Sequence, residues 1–162
     1  MSLIKPHAYA ELPEVFYNLQ NWEGFKNPSL VIENTQLKKE MGLQNIEGYK
    51  LLEIFNGSSQ IKTLKPLSMV YAGHQFGQYV EQLGDGRGLL LGQINSSSGL
   101  IDIHLKGAGK TPYSRFGDGR AVLRSVIREY LCGEAMHALS IPTSRALMIV
   151  GSDELVIREK SE

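Results

Sequence analysis

Apolar residues change their spacing along the chain, and the changes mark out its elements. Over 1–69 they are irregular, and only two short runs carry helical spacing. Asn34 stands where a helix carrying Leu37 and Met41 needs an N-cap, and Gly42 stops that helix. A second helix is expected over 47–55, with Leu51, Leu52 and Phe55 as its apolar face and Asn56-Gly57 as its terminator. Gly48, near its start, weakens the helical preference. Both helices read as packing elements, and nothing in 1–69 carries chemistry by residue type or spacing.

From residue 79 the pattern changes. A strand is expected over 79–83, then a tight turn at Gly84-Asp85-Gly86-Arg87-Gly88, then an apolar strand over 89–94. Asn95-Ser96-Ser97-Ser98-Gly99 has the composition of a hairpin turn. Residues 100–106 alternate with the period of a half-buried strand and end in Lys106. A second glycine loop, Gly107-Ala108-Gly109, is followed by Phe116-Gly117-Asp118-Gly119. Asp118 is placed to cap a long helix over about 119–139. Segments 145–150 and 155–157, joined by Gly151-Ser152-Asp153-Glu154, read as a closing hairpin. The expected fold is α+β: a twisted antiparallel sheet with one long helix over 70–162, preceded by a helical extension over 1–69.

Composition narrows the function. Seventeen basic residues balance seventeen acidic ones, so nucleic acid held by bulk electrostatics is not expected, whereas a small anion held by a few groups is allowed. Eleven of the seventeen glycines fall between Gly73 and Gly119, where close backbone approach or positive φ is needed. The single Cys132 leaves no disulfide framework or zinc cluster, and its apolar helical setting predicts a buried thiol. No apolar signal core or membrane-spanning run stands out, which predicts a soluble, cytoplasmic protein with no membrane partner.

Three sets of residues carry possible chemistry. The glycine turn at Gly84 and Gly86 exposes backbone N–H groups that suit phosphate oxygens, and Arg87 adds a permanent cation; a plain glycine hairpin with a solvated arginine fits equally well. Lys106 ends the strand after that turn, and Glu129 lies midway along the following helix. A strand lysine paired by a helix glutamate, in this order of elements, holds nucleotide phosphates in protein kinases. The plainer readings are a solvent-facing lysine and a surface carboxylate. Glu129, however, has no basic residue three or four positions away: those places hold Ser125, Val126, Cys132 and Gly133. Asp118 and Gly119 form a second candidate, as a simple cap or as an anion or ion site at a helix start. His74 and Gln75 have no partner at metal-ligand spacing and read as structural.

Long ordered motifs then point to a family. The segments 71–77 (YAGHQFG), 82–88 (QLGDGRG), 104–109 (HLKGAG), 111–125 (TPYSRFGDGRAVLRS), 134–137 (EAMH) and 141–147 (IPTSRAL) closely resemble the selenoprotein O family over roughly residues 27–159. The resemblance implies a pseudokinase fold, with this chain as its kinase-like small lobe. It also implies ATP bound in a flipped orientation and transfer of AMP to Ser, Thr or Tyr hydroxyls of proteins. By position, Gly84, Gly86, Arg87, Lys106, Asp118 and Gly119 resemble nucleotide contacts, with Glu129 as the partner of Lys106. The family's catalytic aspartate, its magnesium-binding Asn and Asp, and its second lobe are expected beyond Glu162, so no catalytic or metal-ligating residue is assigned in this chain. The alternative is a nucleotide-binding or scaffold module without catalysis, and a third possibility is that Lys106 and Glu129 form only a structural ion pair and no nucleotide binds. Apolar surface meant for a second lobe should then be exposed, favouring self-association.

Overall fold

The computed structural model describes residues 3–22, 24–57, 64–156 and 158. Two short 3-10 turns, Ala8–Glu11 and Glu14–Phe16, lead into β1 (Tyr17–Leu19), β2 (Ser29–Glu33), α1 (Thr35–Glu40) and α2 (Gly48–Phe55). There follow β3 (Leu67–Met69), β4 (Gly73–Gln75), β5 (Gln78–Val80), β6 (Gly88–Ser96), β7 (Gly99–Lys106), α3 (Leu123–Ala138) and β8 (Met148–Gly151). The fold is mixed α and β, with antiparallel sheets. One sheet runs β1-β3-β6-β7, and two smaller ones pair β2 with β8 and β4 with β5.

The local signals produce their elements. Asn34 Oδ1 accepts from Leu37 N–H at 2.9 Å, which satisfies an orphan amide at the start of α1. In α2 the helical spacing brings Leu51, Leu52 and Phe55 inward. They join Ile4, Trp22, Met41, Leu43 and the β6 residues Leu89, Leu91 and Ile94 in the core. Trp22 Nε1–H donates to Phe55 O at 2.9 Å, so the indole brings its polar atom satisfied into that core. The first 69 residues therefore supply much of the core, together with three strands that periodicity did not reveal.

Strand β6 is buried along most of its length because it lies inside the sheet, between β3 and β7. Its pairing with β7 closes through Ser97-Ser98, as the turn composition predicts. The N-terminal segment also fastens to β6, through reciprocal Lys5 and Gln93 backbone bonds of 2.8 and 2.9 Å.

Four local expectations fail. The strand expected over 79–83 is the shorter β5, paired with β4, so the glycine segment does not join two mutually paired strands. The closing hairpin does not form: β8 pairs with β2, and Ile157 lies outside the described residues. The long helix begins at Leu123 with Val122 as its N-cap, not at Asp118, because Gly119–Ala121 is drawn into pairing with the preceding glycine loop. Cys132 is exposed, since none of the residues of α3 is buried.

Candidate functional site

Lys106 and Gly88 face each other in the β6–β7 ladder, which places Lys106 beside Arg87. Gly107 N–H donates to Arg87 O at 2.7 Å and fixes that proximity. Helix α3 crosses so that Glu129 reaches both cations: Lys106 Nζ lies 2.7 Å from Oε2 and Arg87 Nη2 lies 3.7 Å from Oε1. All three side chains are about half exposed. Ion pairs of that exposure contribute at most about 1 kcal/mol to stability. Two cations share one carboxylate, so the cluster keeps a positive surplus beside the glycine segment. That arrangement can orient a lysine and an arginine toward anionic oxygens.

The glycine segment itself is held differently from expectation. Gly84 N–H donates to Tyr71 O (3.2 Å), Asp85 N–H to Met69 O (2.9 Å) and Gly86 N–H to Gly84 O (3.1 Å). These amides are engaged within the chain, so they do not form the open phosphate nest the turn suggests. The glycines are required by a close neighbour. A Cβ on Gly84 would sit 2.6 Å from the Tyr113 ring, and one on Gly86 would sit 2.9 Å from Tyr113 O. The 111–114 turn is riveted there by Thr111 Oγ1–H donating to Asp85 O (2.6 Å) and Ser114 Oγ–H donating to Gly86 O (2.6 Å).

Asp85, absent from the sequence candidates, is the buried anchor of this segment. Its carboxylate accepts from Met69 N–H (3.1 Å) and Tyr71 O–H (3.0 Å), and His104 Nε2 lies 3.4 Å away. Burial raises its pKa, but the hydrogen bond with His104 and those from Met69 and Tyr71 outweigh it, and the net shift is downward. Burial, then the nearby Asp85 charge, pushes the Tyr71 phenol up to about 12, so it remains a donor. The only sequence signal was an acidic residue between two glycines, which gives no sign of burial.

Asp118 and Gly119 come to the loop that follows Lys106. Ala108 bridges Arg120 in antiparallel fashion, and Gly109 N–H donates to Gly119 O at 3.1 Å. Asp118 Oδ1 accepts from Arg120 N–H (2.9 Å), and both its oxygens take Arg158 in a fork at 2.7 and 3.0 Å. The Arg158 hydrogen bonds hold its carboxyl below the usual range. The same glycine loop walls an open cleft of about 740 Å³, with Trp22, Lys26, Lys110 and Arg120 along it. Arg120 is committed there to Glu154 at 2.5 Å and lies over the Phe25 ring. Among the described residues no group of three or more His, Cys, Asp or Glu side chains is placed to hold a metal ion, and none of the described helices is long and apolar enough to cross a membrane.

Comparison with known proteins decides the family. Residues 2–162 match the family described as Protein adenylyltransferase SelO. The chain belongs to the SelO family. It is 54% identical over 157 residues to the Protein nucleotidyltransferase YdiU of Vibrio parahaemolyticus, covering 96% of this chain and 32% of that relative. It is 50% identical over 159 residues to the protein of the same name from Stutzerimonas stutzeri, covering 96% and 33% respectively. The chain thus spans about a third of the length of the curated relatives it matches.

Proposed function

We propose that this SelO-family chain is the nucleotide-binding, kinase-like small lobe of a protein adenylyltransferase that moves AMP from ATP to Ser, Thr or Tyr hydroxyls of other proteins. The observation that carries the reading is the Lys106–Glu129 pair at 2.7 Å with Arg87 on the same carboxylate. A strand lysine held by a helix carboxylate keeps a charged donor aimed at phosphate oxygens at no cost of reorganisation. In the transfer, the acceptor oxygen bonds to the α-phosphorus, the bond to the β-phosphate bridging oxygen breaks, and pyrophosphate leaves with its charge. Lys106 and Arg87 would stabilise that developing charge. Asp118 and Gly119 are the further proposed contacts, while Gly84 and Gly86, whose amides are engaged within the chain, are proposed only to let the 111–114 turn pack beside Arg87. The base that takes the hydroxyl proton and the ligands of magnesium are proposed to lie in the part of full-length relatives that this chain does not span.

Calorimetric titration with ATP and magnesium tests the reading on this chain, on Lys106→Ala and on Glu129→Gln. Loss of one charge-assisted contact should weaken affinity by roughly ten-fold or more. Absence of ATP binding by the unsubstituted chain, or equal affinity in all three proteins, would refute it.

A further inference from the structure

Glu129 sits on α3. None of α3 is fully buried, and charged contacts at two points add to its packing against β8 in placing it. One is the cluster with Lys106 and Arg87. The other lies five residues further along, where Glu134 meets Arg145 from the segment between α3 and β8.

Arg145 makes three charged hydrogen bonds there. Its Nε–H and Nη2–H donate to the two oxygens of Glu134 at 2.9 and 2.8 Å, and Nη1–H donates to Glu40 Oε2 at 2.6 Å. Glu40 is the last residue of α1. The cap residue of α1 is tied to the same segment, Asn34 N–H donating to Leu147 O at 2.8 Å. The Arg145 and Glu134 side chains are 10% and 26% exposed, against 47% and 39% for Lys106 and Glu129, so water screens the Glu134 arm less than that pair, while the Glu40 arm is open to solvent. A forked guanidinium also fixes direction as well as distance, which a lone ammonium does not. The Arg145 hydrogen bonds hold the Glu134 carboxyl below the usual carboxylate range, so the clasp is fully charged at neutral pH.

We propose that Arg145 is a positioning residue, which clasps α3 to α1 through Glu134 and Glu40 and so sets Glu129 against Lys106 and Arg87. The clasp stands on geometry alone; its consequence for nucleotide affinity rests on the proposed function above.

Cys132 is the sole cysteine and lies exposed on α3, so it takes a spin label selectively. Ser98→Cys, in the exposed β6–β7 turn, supplies a second label on the sheet. Pulsed dipolar spectroscopy then reads the helix-to-sheet distance in the 162-residue chain. Arg145→Ala and Glu134→Gln should broaden the distance distribution roughly two-fold as α3 samples further placements. Arg145→Lys, which keeps the charge and loses the fork, should fall between. An unchanged distribution in folded Arg145→Ala overturns the clasp. Should that variant fail to show cooperative melting, Glu134→Gln decides in the same way.

ATP titration of the same samples separates the two ideas. A roughly ten-fold loss of affinity that tracks the broadening supports both. Broadening in a protein whose unsubstituted form does not bind ATP keeps the clasp and removes the nucleotide reading. Tight ATP binding with unchanged distances and affinity in Arg145→Ala does the reverse.

Discussion

Replacing Gly119 by alanine should be among the most damaging single-methyl changes in this protein, and the reason is its neighbour rather than its φ alone. Gly119 has φ +72°, and a Cβ there would lie 1.9 Å from Gly109 O and 2.5 Å from Lys110 N. Both are backbone atoms of the opposing loop, so no side-chain rotation relieves the contact. Gly42 has the same φ, +72°, but nothing within 4 Å of its Cβ position. The two positions therefore share the left-handed backbone cost, about 1 kcal/mol for alanine, and differ only in the clash. At Gly119 the loops must part. Overpacking of this kind costs about 1–3 kcal/mol, and the Gly109–Gly119 hydrogen bond adds about 1 kcal/mol. Gly119→Ala should thus cost about 3–5 kcal/mol, and Gly42→Ala about 1 kcal/mol. For a chain of this size each kcal/mol moves the melting temperature by about 2–4 °C. Differential scanning calorimetry should show a drop of roughly 6–20 °C at Gly119 and about 2–4 °C at Gly42. Equal drops would mean that the Gly107–Gly109 and Gly119–Ala121 loops are not packed as described. The comparison also bears on the site, because Gly119 then has a structural reason to be glycine independent of any nucleotide.

Asp85→Asn leaves the donors of Met69 and Tyr71 facing a weaker acceptor and should cost about 1–3 kcal/mol in urea unfolding. Because the folded pKa of Asp85 is lowered, its contribution is present above the unfolded value and is lost as pH falls through the folded one. The substitution should therefore flatten the acid side of the stability profile below about pH 4, and an unchanged slope would count against it. His7 is buried, neither ring nitrogen finds a partner among the described residues, and burial lowers its pKa. Protonation then favours the unfolded chain, so stability should decline as pH falls below about 6.5. That decline should be smaller in His7→Leu. Finally, Leu131 and Leu139 are 62% and 70% exposed on and just past α3, so light scattering should show concentration-dependent association relieved by Leu131→Glu. A monodisperse monomer at all concentrations would contradict this.

Short-range physics was legible in the chain. Asn34 capping Leu37, the inward face of Leu51, Leu52 and Phe55, and the β6–β7 hairpin each follow from residues a few positions apart. The approach of Lys106 to Glu129 was legible too, because the order strand, loop and helix is that of the kinase lysine–glutamate pair and Glu129 has no basic residue three or four positions away on its own helix. What tertiary structure decided were contacts between segments far apart in sequence. The pairing of β2 with β8, the insertion of β6 between β3 and β7, and the Arg145 link from Glu134 to Glu40 leave no periodic trace. The same holds for the glycines. Their composition announced close approach, but only the fold shows that Tyr113 and the Gly109 carbonyl are what approach them. Asp85 marks the limit most sharply: between Gly84 and Gly86 it reads as a turn residue, and only the packing of β3, β7 and the 111–114 turn around it makes it a buried, hydrogen-bonded anion. Caps, periods and turns are encoded within a few residues. Burial and charge pairing depend on which distant surfaces meet.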